Sequence, residues 1–238
     1  MNSLDFARNV FVQPYIEWLC QGMLMTLVIG VSGATFGTLI ALMVLHCRVA
    51  TSRIMRAFGV IYIVLFRNLP VLPLLLFFTF AIPGIWQEVF GFPIPRGFEF
   101  YFLIMVLALN AGAYLAEILR AGVEAVPREQ IDAAHTLGLS LRTIRHRIIF
   151  PQCVHIVAPA LASRYIHIIK NSSMALVVPL APGMMEMVGQ AGRIAGQTFA
   201  WAEPLIFAAI GYLVLALIFS RLLNRLATRA QTRIGGQL

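Results

Sequence analysis

Five stretches of this sequence are apolar over about the 20 residues that a helix needs to cross a bilayer. They run roughly 19–45, 57–86, 98–119, 154–182 and 203–223. Two are interrupted by polar residues, the second at Arg67-Asn68-Leu69-Pro70 and the fourth at Lys170-Asn171-Ser172-Ser173. The pattern predicts an all-α integral membrane protein with about five transmembrane helices. Residues 1–238 form a single transmembrane domain, with its core at about 19–223. Composition supports this: 60% of residues are hydrophobic and 12% charged, where a soluble domain carries about 25% charged. Mean hydropathy is +0.84. The length of 238 residues exceeds what one or two spans need and falls short of a carrier of about twelve spans.

Charge orients the spans. The formal net charge is +8, and basic residues gather after the odd-numbered spans. Arg48, Arg53 and Arg56 follow the first, and Arg120, Arg128, Arg142, Arg145 and Arg147 follow the third. Arg221, Arg225, Arg229 and Arg233 end the chain. The opposite side holds Arg8, Arg96 and Arg193 among Asp5, Glu88, Glu99, Glu186 and Glu203. The positive-inside bias then predicts an N-terminus outside and a C-terminus in the cytoplasm. Trp18, Trp86 and Trp201 fall near predicted outer boundaries, as an aromatic belt would place them. Pro83-Gly84, Gly91 to Pro95, and Pro182 through Gln197 read as outer loops. Met1 to Pro14 lacks a signal-peptide pattern, so the first apolar segment is expected to remain as an anchor.

Other chemistries find little support. Cys20, Cys47 and Cys153 show no paired spacing. His46, His135, His146, His155 and His167 show no His-Glu-x-x-His spacing, so no metal site is expected. Lys170, the one lysine, follows Ile168-Ile169 and forms no P-loop, so ATP would be hydrolysed by another chain. Gly30-Val31-Ser32-Gly33 resembles the G-x-S-G of rhomboid intramembrane serine proteases, with His167 as a conceivable base. The rest of that pattern is missing, and small residues in a span more often mark helix packing.

Polar residues inside spans are costly and point to function. Arg67 and Asn68, Asn110 midway along the third span, and Lys170, Asn171, Ser172 and Ser173 are therefore the candidate substrate pathway. Lys170 lies about 21 Å into its span, counted from Ile156. The alternative for the two cations is pairing with carbonyls or snorkelling. Glu117, near the cytoplasmic end of the third span, is either a proton-coupling carboxylate or a partner between helices. With no deep carboxylate beside them, Arg67 and Lys170 favour an anionic substrate group.

Residues 130–151, QIDAAHTLGLSLRTIRHRIIFP, form a basic helical hairpin in the large cytoplasmic loop. A first helix starts near Pro127, Gly138 makes the turn and Ser140 caps a second helix. Leu141, Ile144 and Ile148 give that helix an apolar stripe, and Pro151 re-aims the chain into the fourth span. It reads as a headgroup-bound connector or a docking surface for a cytoplasmic protein. DNA binding is disfavoured, because a hairpin tethered by two spans cannot easily enter a groove.

Asp132-Ala133-Ala134, Gly138, Ile148, Phe150 and Pro151 resemble the EAA loop of ABC-importer permeases, with Asp132 in place of Glu and Phe150 in place of Leu. Phe66-Arg67-Asn68-Leu69-Pro70 resembles the F-R-x-x-P segment of the polar amino-acid permeases. Tyr114 to Gly122 resembles their Y-x-A-E-I-x-R-x-G run, and Lys170-Asn171-Ser172-Ser173 their K-[DN]-[ST]-S segment. The resemblance, with the histidine, glutamine and glutamate/aspartate permeases, covers most of the chain. Lys170-Asn171-Ser172 and Gln190 to Arg193 look most like the glutamate/aspartate members.

The resemblance implies a MetI-like permease fold in a bacterial inner membrane, with a coupling loop at about 120–153. Asp132, Ala133, Ala134, His135, Leu137, Gly138 and Pro151 would meet an ATP-binding subunit. It also implies a dimer of those subunits, which bind ATP and Mg, a second permease subunit, identical or paralogous, and an external solute-binding protein. No cofactor is expected in this chain, and no catalysis by it. The function implied is an importer for polar amino acids, leaning to glutamate and aspartate. The alternative is a permease for another polar solute, such as a basic amino acid or an opine.

Overall fold

The computed structural model describes residues 15–235. The N-terminal stretch Met1 to Pro14, with Asp5 and Arg8, lies outside the described residues. Those described are mostly helical, with no strand among them. Helix α1 spans Tyr15–Arg48 and α2 spans Arg53–Asn68. Helix α3 covers Val71–Phe90, with a widened turn at Phe77–Ala81. Helix α4 spans Phe98–Glu124 and α5 Arg128–Thr136. A single turn, α6, Leu141–Ile144, leads through a widened turn at Arg145–Ile149 into α7, Phe150–Asn171. A tight 3₁₀ segment, Ser172–Val177, precedes α8, Met187–Thr198, and α9, Ala202–Gly235.

Four of the described helices are long and apolar enough to cross a membrane: α1, α3, α4 and the Ala202–Arg225 part of α9. Helix α7, at the expected fourth span, has the length but carries His155, Arg164, His167 and Lys170, which dilute its apolarity. The second expected span divides at Leu69-Pro70, and α2 keeps Arg67 and Asn68 on its last turn. The break in the fourth likewise begins at Ser172, with Lys170 and Asn171 still on α7.

Close packing of small residues holds α1 in place, as membrane helices without a hydrophobic drive between them require. Gly30 of the serine-protease-like stretch backs onto Ile169 of α7, Gly33 onto Leu107 of α4, and Gly37 onto Ala111 of α4. All three glycines are buried. The G-x-S-G stretch is thus a helix-packing face. Helix α4 is the central element. Leu103, Val106, Leu107, Ala111, Leu115 and Ala116 on it are almost wholly buried, whereas α3 and α9 leave most of their apolar surface outward.

Three expectations need correction. Pro83-Gly84 is not in an outer loop but within α3, where Pro83 stands at the start of the regular stretch Ile82–Phe90 that follows the widened turn. Pro182 through Gln197 is not a loop. Met187, Ala191, Ile194 and Ala195 recur at helical spacing and bury the face of α8, and Gly22 of α1 lets the backbone of Met187 come close. Nor does Pro151 re-aim the chain at a break between two helices. Helix continues from Leu141 to Asn171, and the widened turn at Arg145–Ile149 absorbs the proline's missing donor. Only Ile144 of the expected stripe is fully buried, while Leu141 stands out.

Candidate functional site

The break at Leu69-Pro70 builds the first site. A helix ends with carbonyls that have no partner within it, and Pro70 has no N–H to give to the Phe66 carbonyl four residues back. Helix α4 supplies the missing donors. Asn110 Nδ2 donates to the Phe66 carbonyl at 2.9 Å, and the Tyr114 hydroxyl donates to that of Arg67 at 3.3 Å. The other end of the Asn110 amide is used as well: Arg164 Nη2 of α7 donates to Asn110 Oδ1 at 2.8 Å. Asn110 is only 5% exposed.

Two guanidinium groups flank Tyr114. That of Arg164 lies 3.9 Å from the ring centroid and that of Arg67 lies 5.3 Å away, both within cation–π range. Asn110 bridges the two, through the Phe66 carbonyl next to Arg67 and through the Arg164 guanidinium. These contacts set Arg67, Asn110 and Arg164 at one level of the bundle.

A carboxylate does stand beside Arg67, contrary to the expectation of unaccompanied cations. Glu117 Oε1 is 3.8 Å from Arg67 Nη1. Glu117 is held in a bidentate grip by Arg120, at 2.7 Å from Nη2 and 3.0 Å from Nε. Arg120 also pairs with Glu124. Arg164, by contrast, meets no carboxylate within ion-pair distance among the described residues, and its Nε is buried without a partner. A tally of loop charges passes over Arg164, which sits inside an expected span. The signal was its position six residues, under two helical turns, before Lys170 in a run that should be apolar.

The other expected pathway residues lie elsewhere. Asn68 is exposed and donates to its own helix at Val64. Lys170 and Ser173 line a groove of about 420 Å³ against α9, with Tyr212, Ala208 and Leu213. Ser172 is fully buried, with its hydroxyl 3.0 Å from that of Tyr212. Asn171 is half-buried beside it.

The hairpin forms the second site. Helix α5 starts after Pro127 and closes in a Schellman motif. Gly138 N donates to the His135 carbonyl at 2.9 Å, and Leu139 N to that of Ala134 at 3.1 Å. Gly138 has φ +74. The Ser140 hydroxyl then accepts from Thr143 N at 3.2 Å, capping α6. Ala134 and Ile144 turn inward, and Gln152 of α7 donates to Gln130 of α5 at 2.7 Å. Asp132, Ala133 and His135 are left exposed, with Leu137 at 79%. Pro151 lies behind this face, half-buried in the first turn of α7. The hairpin tip thus presents Leu137 to the outside beside the small residues Ala133 and Gly138.

Known proteins resemble this chain in sequence and in fold. Residues 33–232 match the family model of the binding-protein-dependent transport system inner membrane component. The arginine transport system permease protein ArtQ of Bacillus subtilis is 29% identical, covering 92% of this chain and 93% of its own. The glutamate/aspartate import permease protein GltK of Escherichia coli O6:H1 is 28% identical, covering 96% and 99%. The crystal structure of an amino acid ABC transporter with histidines superposes with a TM-score of 0.81 at 29% identity, over 96% of this chain and 99% of that one. The chain therefore belongs to the family of binding-protein-dependent transport system inner membrane components, as the permease subunit of an amino-acid ABC importer.

Proposed function

We propose that this permease passes an amino acid with an anionic side chain, glutamate or aspartate. The observation that carries the reading is Arg164, oriented by Asn110 and stacked on Tyr114 without a carboxylate of its own. Buried or half-buried cations need a counter-charge, and a substrate carboxylate supplies it. Arg67, level with Arg164, is the second cation of the seat. Lys170 with Ser173, on the α9 side, lies further along the path.

In this reading the N-terminus is periplasmic, the C-terminus is cytoplasmic, and the multi-pass chain resides in a bacterial inner membrane. The exposed tip Asp132, Ala133, His135, Leu137 and Gly138 seats on an ATP-binding subunit, whose dimer binds ATP and Mg. A second permease subunit, identical or paralogous, completes the path, and an external solute-binding protein delivers the amino acid. Closure of the ATPase dimer moves the hairpin and, through the continuous helix 141–171, the segment bearing Arg164. Access to the seat then alternates between the two sides. The chain itself performs no catalysis.

A second reading, a permease for a basic amino acid, has Glu117 and the arginine-permease relative in its favour. Against it, both Glu117 oxygens are already engaged by Arg120. Uptake of labelled L-glutamate, L-aspartate and L-arginine into proteoliposomes holding the assembled importer and its own binding protein decides between them. Acidic uptake lost in Arg164→Leu is the expected result. Uptake of L-arginine alone overturns the proposal.

A further inference from the structure

We infer that Glu117 is a built-in competitor for the substrate's carboxylate, engaging Arg67 while the path is empty and yielding it to an arriving anionic substrate. The inference rests on the reading of Arg67 and Arg164 as the cationic seat. Its own support is the unequal way in which Glu117 is shared. The Arg120 fork takes both carboxylate oxygens, at 2.7 Å and 3.0 Å, and fixes the group in place. Arg67 reaches the same Oε1 only at 3.8 Å, beyond hydrogen-bond distance. Glu117 therefore neutralises Arg67 in part and cannot move to grip it without leaving Arg120.

Arg67 is the half that is open to exchange. Its side chain is 39% exposed, and it stands on the last turn of α2, just before the break at Leu69-Pro70. A free carboxylate can approach it at full hydrogen-bond distance and displace a weaker ionic contact. Transport needs this balance, since a site must bind well enough to fill and weakly enough to empty. Two bare arginines would retain a dicarboxylate. A tethered carboxylate beside one of them repels the substrate and reclaims Arg67 as the substrate departs.

The test is equilibrium binding of radiolabelled L-glutamate to the purified permease–ATPase complex in detergent, without binding protein. Glu117→Gln removes the charge. Glu117→Asp keeps the charge and its Arg120 partner but withdraws from Arg67, so it controls for disturbance of the Arg120 pair. Both variants are expected to bind L-glutamate more tightly than wild type, Glu117→Gln by on the order of tenfold. If neither tightens binding while Arg164→Leu abolishes it, the competitor inference is overturned and the reading of the seat stands. If Arg164→Leu binds like wild type, or no variant binds L-glutamate at millimolar concentration, the seat itself is wrong and the inference falls with it.

Discussion

The phenol of Tyr212 donates to the Glu186 carboxylate at 2.8 Å, joining the middle of α9 to the start of α8. Glu186 is fully buried. It also accepts from the backbone N–H groups of Val188 at 2.6 Å and Gly189 at 2.7 Å, which makes it the N-cap of α8. Around the phenol stand Ser172 at 3.0 Å and Thr26 at 3.5 Å. Thr26 in turn accepts from Met187 N at 3.2 Å. Four segments that share little sequence proximity are tied through one carboxylate and one phenol.

Tyr212→Phe removes one of three donors to a buried carboxylate while keeping the ring. Leaving a buried acceptor short of a partner costs about 1–3 kcal/mol. The purified complex should show a lower thermal unfolding midpoint in detergent, with membrane insertion intact. An unchanged midpoint would mean that water or a rearranged Ser172 replaces the phenol.

The turn at Gly138 offers a second test. Its φ of +74 favours glycine, and nothing lies within 4 Å of where a Cβ would sit. Any loss on substitution therefore comes from backbone strain or from the partner surface, not from a clash within this chain. Asn tolerates the left-handed conformation, and a β-branched residue does not. Gly138→Asn should transport close to wild type. Gly138→Val should lose about 1–2 kcal/mol of local turn stability and, with it, transport per ATP hydrolysed. Gly138→Asp should keep the turn but place a charge against the ATP-binding subunit and uncouple in the same assay. Normal coupling in both Gly138→Val and Gly138→Asp would remove the hairpin from the coupling route.

How much of this was legible in the sequence depended on the range of the interaction. Apolar length is a local property, so α1, α4 and α9 could be read directly, whereas the division of the second stretch at Leu69-Pro70 and the polar residues of α7 blur the other two. The hairpin's Gly138 and Ser140 announced their turn and cap because both act within three residues. Helix α8 was missed because Gly189, Gly192 and Gly196 look like loop punctuation. They belong to a helix because Glu186 caps it and α1 and α9 cover its apolar face. The candidate site was half legible. Arg67 and Asn110 stood out as polar residues in apolar runs. That Asn110 serves the Phe66 carbonyl and orients Arg164 depends on three helices meeting at one level, a relation that no single segment encodes. Lys170 stood out equally but faces α9.

The same relation makes Pro70 the last test. Because residue 70 offers no N–H, the Phe66 carbonyl is free to accept from Asn110, and this holds the amide in the orientation that leaves Oδ1 for Arg164. Pro70→Ala restores a donor one helical turn beyond Phe66 and removes the ring that keeps the chain extended there, at φ −61 and ψ 134. Helix α2 should then tend to run on into α3. The Phe66 carbonyl is claimed within the helix, the Asn110 amide is released, and Arg164 loses its anchor. Since a proline-imposed break is itself costly, by up to about 3 kcal/mol in a helix interior, the thermal midpoint of the complex should hold or rise. Uptake of the acidic amino acid should fall several-fold. Loss of uptake together with a lower midpoint would point instead to simple misfolding, and unchanged uptake would show that Arg164 keeps its place without Asn110.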